Sequence, residues 1–145
     1  MPIATSEFSL ALSRDKLWDL LNDLKSLGKC IPGCESVDVV GPDDSKWKLK
    51  LSVGIVSRRI VANAHIAERV QPESLVINIQ SVEGDLTGLW KLQLSEEGPT
   101  STKVKLTADI TARGAFEWAI NQIIKSQMSK MVSQFVDCVS KSTQG

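Results

Sequence analysis

Net charge is absent from this chain: 17 Lys and Arg are matched by 17 Asp and Glu over 145 residues. A general nucleic-acid binder gathers a basic excess to neutralise phosphates, so the neutrality argues against that class. Histidine is nearly absent too. Any serine-type hydrolase would have to use His65, the single imidazole, as its base. Three cysteines, an odd number, do not make a disulfide framework in a chain this size, and they fit a reducing compartment. A zinc site would need Cys30, Cys34, Cys138 and His65 to converge, with only one close ligand pair among them, so the cysteines are expected as small buried side chains and no metal is expected. No run of 18 apolar residues exists, and residues 1–7 lack the basic and apolar segments of a secretory signal. The expectation is a soluble cytoplasmic protein. Phosphate loops are missing as well: neither 84–88 nor 28–33 ends in Lys-Ser/Thr or fits a dinucleotide fingerprint. The acidic pairs Asp43/Asp44 and Glu96/Glu97 fall in turn sequences, where carboxylates are ordinarily solvated. No catalytic residue and no cofactor emerge.

What the chain does have is periodicity. In the stretch 116–139, Phe116, Ile120, Ile123, Ile124, Met128, Met131, Phe135, Val136, Cys138 and Val139 recur at steps of three and four, opposite Glu117, Asn121, Lys125, Ser129, Lys130, Ser133 and Asp137. That spacing predicts one long amphipathic helix, uninterrupted by Pro or Gly. Such a helix cannot bury its stripe against itself, so the preceding residues have to supply a concave apolar surface.

Those residues alternate. Phe8, Leu10 and Leu12 have the two-residue period of a half-buried strand. At Ser13, a helix cap, the period changes to that of two short helices carrying Leu17, Trp18, Leu20, Leu21 and Leu24, with Trp18 expected in packing. The Gly- and Pro-rich segment 28–35 is a shaped turn. Six further alternating runs follow, joined by short turns. The order predicts an α+β helix-grip fold of one domain, 1–145, with a seven-stranded curved antiparallel sheet, two short helices after the first strand and a long C-terminal helix closing over the concave face.

The inward residues decide whether that closure is a filled core or an apolar cavity. Ala62, Ala64, Gly88 and Ala108 are small; if they cluster, space is left. The cavity candidates are Trp47, Leu49, Leu51, Ile60, Ile77, Trp90, Ile120, Ile124 and Met128, a lining suited to a flat or isoprenoid molecule. By strand parity His65 lies outside with Arg59 and Asn63, as a solvated histidine. Lys46, Lys48 and Lys50, with Arg58 and Arg59 and the Ile55-Val56 tip, form a local patch. It reads either as a solvated face or as a surface for anionic headgroups or an acidic partner.

The element order is that of the START and plant pathogenesis-related superfamily. The run 8–23, with Phe8, Leu10, Leu12, Trp18 and Asp23, followed by Lys29-Cys30-Ile31-Pro32-Gly33-Cys34-Glu35-Ser36-Val37, closely resembles the carbon monoxide dehydrogenase G-subunit family. The likeness covers nearly the whole chain, and the Cys30-Ile31-Pro32-Gly33-Cys34 turn is its most specific part. The resemblance implies an accessory protein of molybdenum-containing dehydrogenases, with no catalytic residues of its own. Some family members carry a C-terminal membrane attachment; this chain stops at Gly145, so membrane contact is expected from the domain itself. The function expected is a non-enzymatic carrier of a hydrophobic molecule, an isoprenoid quinone or lipid, between the membrane and the dehydrogenase. The alternative is a docking or assembly factor acting through its outer surface, and an enzyme is the third class.

Overall fold

Strand alternation and helix capping place eleven elements. In the computed structural model, which describes residues 3–142 apart from the side chains of Ile3, Val56, Ala115, Phe116 and Ser142, β1 (Ile3–Leu10) leads to α1 (Arg14–Asn22) and α2 (Leu24–Cys30). Then come β2 (Cys34–Val39), β3 (Asp44–Val53), β4 (Val56–Val70), β5 (Ser74–Ser81), β6 (Leu86–Gly98), β7 (Ser101–Ala112), α3 (Ala115–Ser126) and α4 (Met128–Ser142). The sheet runs β1-β7-β6-β5-β4-β3-β2, every neighbouring pair antiparallel, so a meander returns its last strand to its first. This is the helix-grip fold.

Local chemistry explains the joints. Ser13 caps α1, its hydroxyl accepting the Lys16 N–H, and Asp23 caps α2. Val53 pairs with Val56 across a two-residue loop in which Gly54 has φ +62°, glycine at the first central position as a II′ turn requires. Gly33 matters most. Its φ is +84°, and a Cβ there would stand 2.6 Å from the Lys50 carbonyl oxygen, while its own carbonyl accepts the Lys50 N–H at 2.7 Å. The shaped turn is thus clamped against β3, which only glycine permits.

Two expectations fail. The long terminal helix is two helices: Gln127, at φ −122°, leaves the α region between α3 and α4. The stripe of α3 approaches β3 and β7, whereas α4 approaches β1 and α2, and one straight rod cannot follow both ends of a twisted sheet. The cysteines also differ. Cys30, at the end of α2, is disulfide-bonded to Cys138 in α4, with Cα atoms 5.3 Å apart. Cysteine usage therefore gives no support to a reducing compartment. Only the folded arrangement brings two residues 108 apart in sequence together.

Among the described residues the buried side chains form two clusters. The larger gathers Leu10, Leu17, Trp18, Leu21, Leu75, Val104 and Val139, with others, under α1, α2 and α4. Phe135 of α4 meets Phe8 edge-on there, with ring centroids 6.0 Å apart. The smaller cluster joins Ile60, Leu86 and Ile120 beneath α3.

Candidate functional site

Pairing fixes which residues share the concave face. Trp47 lies opposite Ala62, Leu49 opposite Ile60, Ile77 opposite Trp90, and Trp90 opposite Ala108. Two of the small residues thus sit opposite indoles. Ala62 and Ala108 are 0% and 1% exposed, so their smallness seats the indoles and does not by itself hollow the interior.

Of the nine cavity candidates, Trp47, Leu49, Leu51, Ile60, Ile77 and Trp90 stand on the concave face, Ile120 and Ile124 on α3, and Met128 opens α4. They are not one lining. Trp47 and Ile77 pack against the larger cluster; Leu49, Leu51 and Ile124 pack against the smaller, in which Ile60 and Ile120 are themselves buried. Trp90 and Met128 belong to neither cluster, and nor do the half-buried Ile79, Leu106, Met131 and Val132. What remains is a set of partly accessible apolar side chains, a belt on the inward face of β5 to β7 and on the first turns of α4, that neither cluster takes up. The Gln127 break immediately precedes Met128, and among the described residues neither α3 nor α4 approaches β5 or β6 as closely as it does the flanking strands. Sequence reading missed Leu106 and Met131 as members. Leu106 has the same parity as Trp90, and Met131 lies one helical step beyond Met128.

The two inward indoles differ. The Trp47 N–H donates to the Ser45 hydroxyl at 2.8 Å, whereas that of Trp90 makes no hydrogen bond among the described residues. The Trp90 indole nitrogen leans over Gly88, where a Cβ would stand 3.2 Å from it.

The outer face offers other chemistry. His65 and Asp44 meet at 2.8 Å, both more than half exposed, on the wall of a depression of about 780 Å³ whose lining mixes Asn63, Asn78, Gln80 and Asp109 with Val40, Ile79 and Leu89. Ser45, beside Asp44, faces inward to Trp47, and no serine or cysteine side chain bonds His65 among the described residues. The pair lacks a nucleophile. The remaining thiol, Cys34, is half-buried; its burial raises its pKa above the ordinary thiol value, which makes it a poor nucleophile. Among the described residues no group of three His, Cys, Asp or Glu could hold a metal.

The basic patch divides. Lys46, Lys48 and Lys50 are exposed on the outer face of β3 and make no ion pair among the described residues. Arg59 is held by Glu35 at 3.0 Å. Arg58 stands on the opposite parity, bonded to Glu83 at 2.7 Å and Asp85 at 2.9 Å. Arg58 is therefore outside the lysine stripe, while Arg59 adjoins Lys50 on the same face with its charge matched by Glu35. Asp85 is held below the ordinary carboxylate pKa, first by the Ser81 hydroxyl and, against some desolvation, by Arg58. Ile55 at the hairpin tip is fully exposed; the Val56 side chain lies outside the described residues.

Residues 7–144 match the family model for CoxG, the carbon monoxide dehydrogenase G-subunit. Among solved structures, a conserved protein from Geobacillus kaustophilus is 20% identical with a TM-score of 0.81, covering 97% of this chain and 94% of its own. A START superfamily protein from Mycobacterium smegmatis is 8% identical with a TM-score of 0.77, covering 98% and 97%. The Zhui aromatase/cyclase from a Streptomyces species is 12% identical with a TM-score of 0.72, covering 99% and 93%. At such identities these structures share the fold alone. Among proteins of curated function, none matches the sequence. No helix among the described residues is long and apolar enough to cross a membrane.

Proposed function

The chain belongs to the carbon monoxide dehydrogenase G-subunit (CoxG) family, and from that premise we propose that it is a non-enzymatic carrier accessory to a molybdenum-containing dehydrogenase of the carbon monoxide dehydrogenase type. Its cargo is a hydrophobic molecule, an isoprenoid quinone or similar lipid, and it links the enzyme to the membrane quinone pool. One observation supports this reading: Trp90 and Leu106 on the inward face of β6 and β7, and Met128 and Met131 at the start of α4, are half-buried and are taken up by neither packed cluster. Partly accessible apolar surface has an incentive to be covered, and each 100 Å² covered gains about 2.5 kcal/mol. Trp47, Leu49, Leu51, Ile60, Ile77, Ile120 and Ile124 frame the belt. Protein purified from its native host and extracted with organic solvent is expected to yield a bound quinone or lipid. Met128→Trp, which fills the belt from a half-buried position, is expected to empty it. A wild-type protein that repeatedly carries and accepts no apolar molecule sinks the proposal.

A second reading concerns the outer surface and rests on Lys46, Lys48 and Lys50, an exposed row free of intramolecular ion pairs among the described residues, near the Ile55 tip. This edge docks on anionic headgroups, each lysine adding about 1 kcal/mol near such a surface, or on an acidic face of the dehydrogenase. Lys46→Glu, Lys48→Glu and Lys50→Glu together should abolish sedimentation with phosphatidylglycerol vesicles if the headgroups are the target. If binding to the purified dehydrogenase is lost and vesicle binding was never present, the row is a protein contact. Loss of neither returns it to a solvated face.

A further inference from the structure

Strand pairing lays one row of side chains across the outer face of the sheet, from Asp44 on β3 through His65, Asn78 and Leu89 to Asp109 on β7. The depression of about 780 Å³ follows that row, on the face opposite the belt. Its charges are matched at one end only. Asp44 meets His65 at 2.8 Å, whereas Oδ1 of Asp109 is shut off from solvent without a hydrogen bond, the one such side-chain atom among the described residues. Lys91 stands one diagonal away on β6, yet among the described residues it forms no ion pair with Asp109. A carboxylate held out of water with neither donor nor cation is costly, and such a group in a native fold calls for a partner. Beside it Leu89 is 44% exposed, in the middle of a face otherwise rich in amides and hydroxyls from Asn63, Asn78, Gln80, Thr87 and Thr111. An apolar centre ringed by hydrogen-bonding groups is the make-up of a protein contact, whereas a small-molecule pocket is mostly apolar.

We infer that this depression receives an extended segment of a protein partner, which sets an apolar side chain on Leu89 and, two residues along, an arginine or lysine against Asp109. Charge decides the sign of the occupant: a cation arriving from the depression offsets the charge of the whole carboxylate, its buried oxygen included. The sheet decides the spacing. Neighbouring strands stand about 4.8 Å apart, same-face side chains of an extended segment recur about every 6.6 Å, and the reach of a basic side chain covers the difference. Because the depression and the belt lie on opposite faces of the sheet, the inference does not depend on the carrier reading.

The probes are two heptapeptides, acetyl-Ser-Thr-Ser-Leu-Ser-Arg-Ser-amide and the same peptide with citrulline, uncharged and of nearly the same shape, in place of arginine. Each is titrated into ¹⁵N-labelled wild type and Asp109→Asn, with the side-chain amide resonances of Asn63, Asn78 and Gln80 as reporters. The arginine peptide is expected to move those resonances and to bind wild type about tenfold or more tightly than the citrulline peptide, as a hydrogen bond to a charged group would give. In Asp109→Asn that preference should vanish. Thermal unfolding should find the variant at least as stable as wild type, because the lost charge had no partner inside the molecule. The inference is overturned by a preference that survives in the variant, by reporters that stay still at millimolar peptide, or by a variant that melts well below wild type. It is equally overturned if argininamide alone binds as tightly as the peptide, which leaves a small-cation pocket. Wild-type dimerisation in ultracentrifugation that Asp109→Asn abolishes would make a second copy of this chain the occupant and overturn the choice of a foreign segment. The comparison of the two peptides on wild type needs no variant.

Discussion

Reducing the Cys30–Cys138 disulfide should cost a large part of the protein's stability. The bond closes a loop of 108 residues, so the unfolded chain that retains it has far fewer conformations than the reduced one. The loop-entropy relation gives about 4.8 kcal/mol at 25 °C for that separation of 108. Measured values for disulfides run lower, typically about 2–4 kcal/mol, against a total domain stability of about 5–15 kcal/mol. With a urea slope of about 2 kcal/mol per M, the midpoint should fall by about 1–2.4 M on reduction. The assay is urea unfolding followed by circular dichroism, with and without dithiothreitol, alongside Cys30→Ser/Cys138→Ser. The double variant should match the reduced wild type and ignore the reductant. Thiol titration of the unreduced, denatured protein should find one group, Cys34. Three titratable thiols, or a midpoint indifferent to reductant, would refute the reasoning.

The turn at Gly33 should be intolerant: Gly33→Ala combines a positive φ with a Cβ 2.6 Å from the Lys50 carbonyl oxygen, and thermal unfolding should show a loss of at least about 1–3 kcal/mol. A variant as stable as wild type would mean that the turn is not clamped to β3. The Asp85 carboxyl is held below its ordinary pKa by Ser81 and Arg58, so its contribution is present above the ordinary carboxylate range and is lost as pH falls through its lowered value. Asp85→Asn should therefore be less stable than wild type near neutrality, with the gap closing in acid; a gap constant down to pH 3 refutes this. In hydrogen exchange the amides of α3 should open before those of α4, because among the described residues α3 rests on three buried side chains and α4 on the larger, disulfide-linked cluster. Equal protection of both helices contradicts that ordering.

Much of this molecule was legible from alternation alone. Lys103, Val104, Lys105 and Leu106 assign their own faces, and short turns force antiparallel neighbours, so the seven-stranded meander follows from period and loop length. The break at Gln127 was not legible, because no Pro or Gly marks it; its cause is the twist of a sheet that the helix meets only after folding. The disulfide was hidden for the same reason, since Cys138 reaches Cys30 only through the placement of α4 on α2. In the candidate site, parity identified which residues face inward, but it could not show that Ala62 and Ala108 are seats for Trp47 and Trp90 and not vacancies. Nor could it show that Arg58 is bonded to Glu83 and Asp85, or that Arg59, which adjoins Lys50, has its charge matched by Glu35.

The unequal anchoring of the two terminal helices bears on how a guest enters. The C-terminal half of α4 is pinned by Val139 in the core, by Phe135 against Phe8 and by the bond from Cys138 to Cys30. By contrast, α3 begins after Gly114 without a side-chain cap, and it exposes Trp118 to solvent. It is joined to α4 through Gln127, whose backbone still accepts from Met131 and donates to Ile123. A hinge that keeps its hydrogen bonds while leaving helical geometry can bend at low cost. Lifting α4 would have to strip the larger cluster, whereas lifting α3 uncovers only the smaller one. On the carrier reading, the smaller cluster beneath α3 leads us to expect α3 as the half that moves and α4 as the fixed wall.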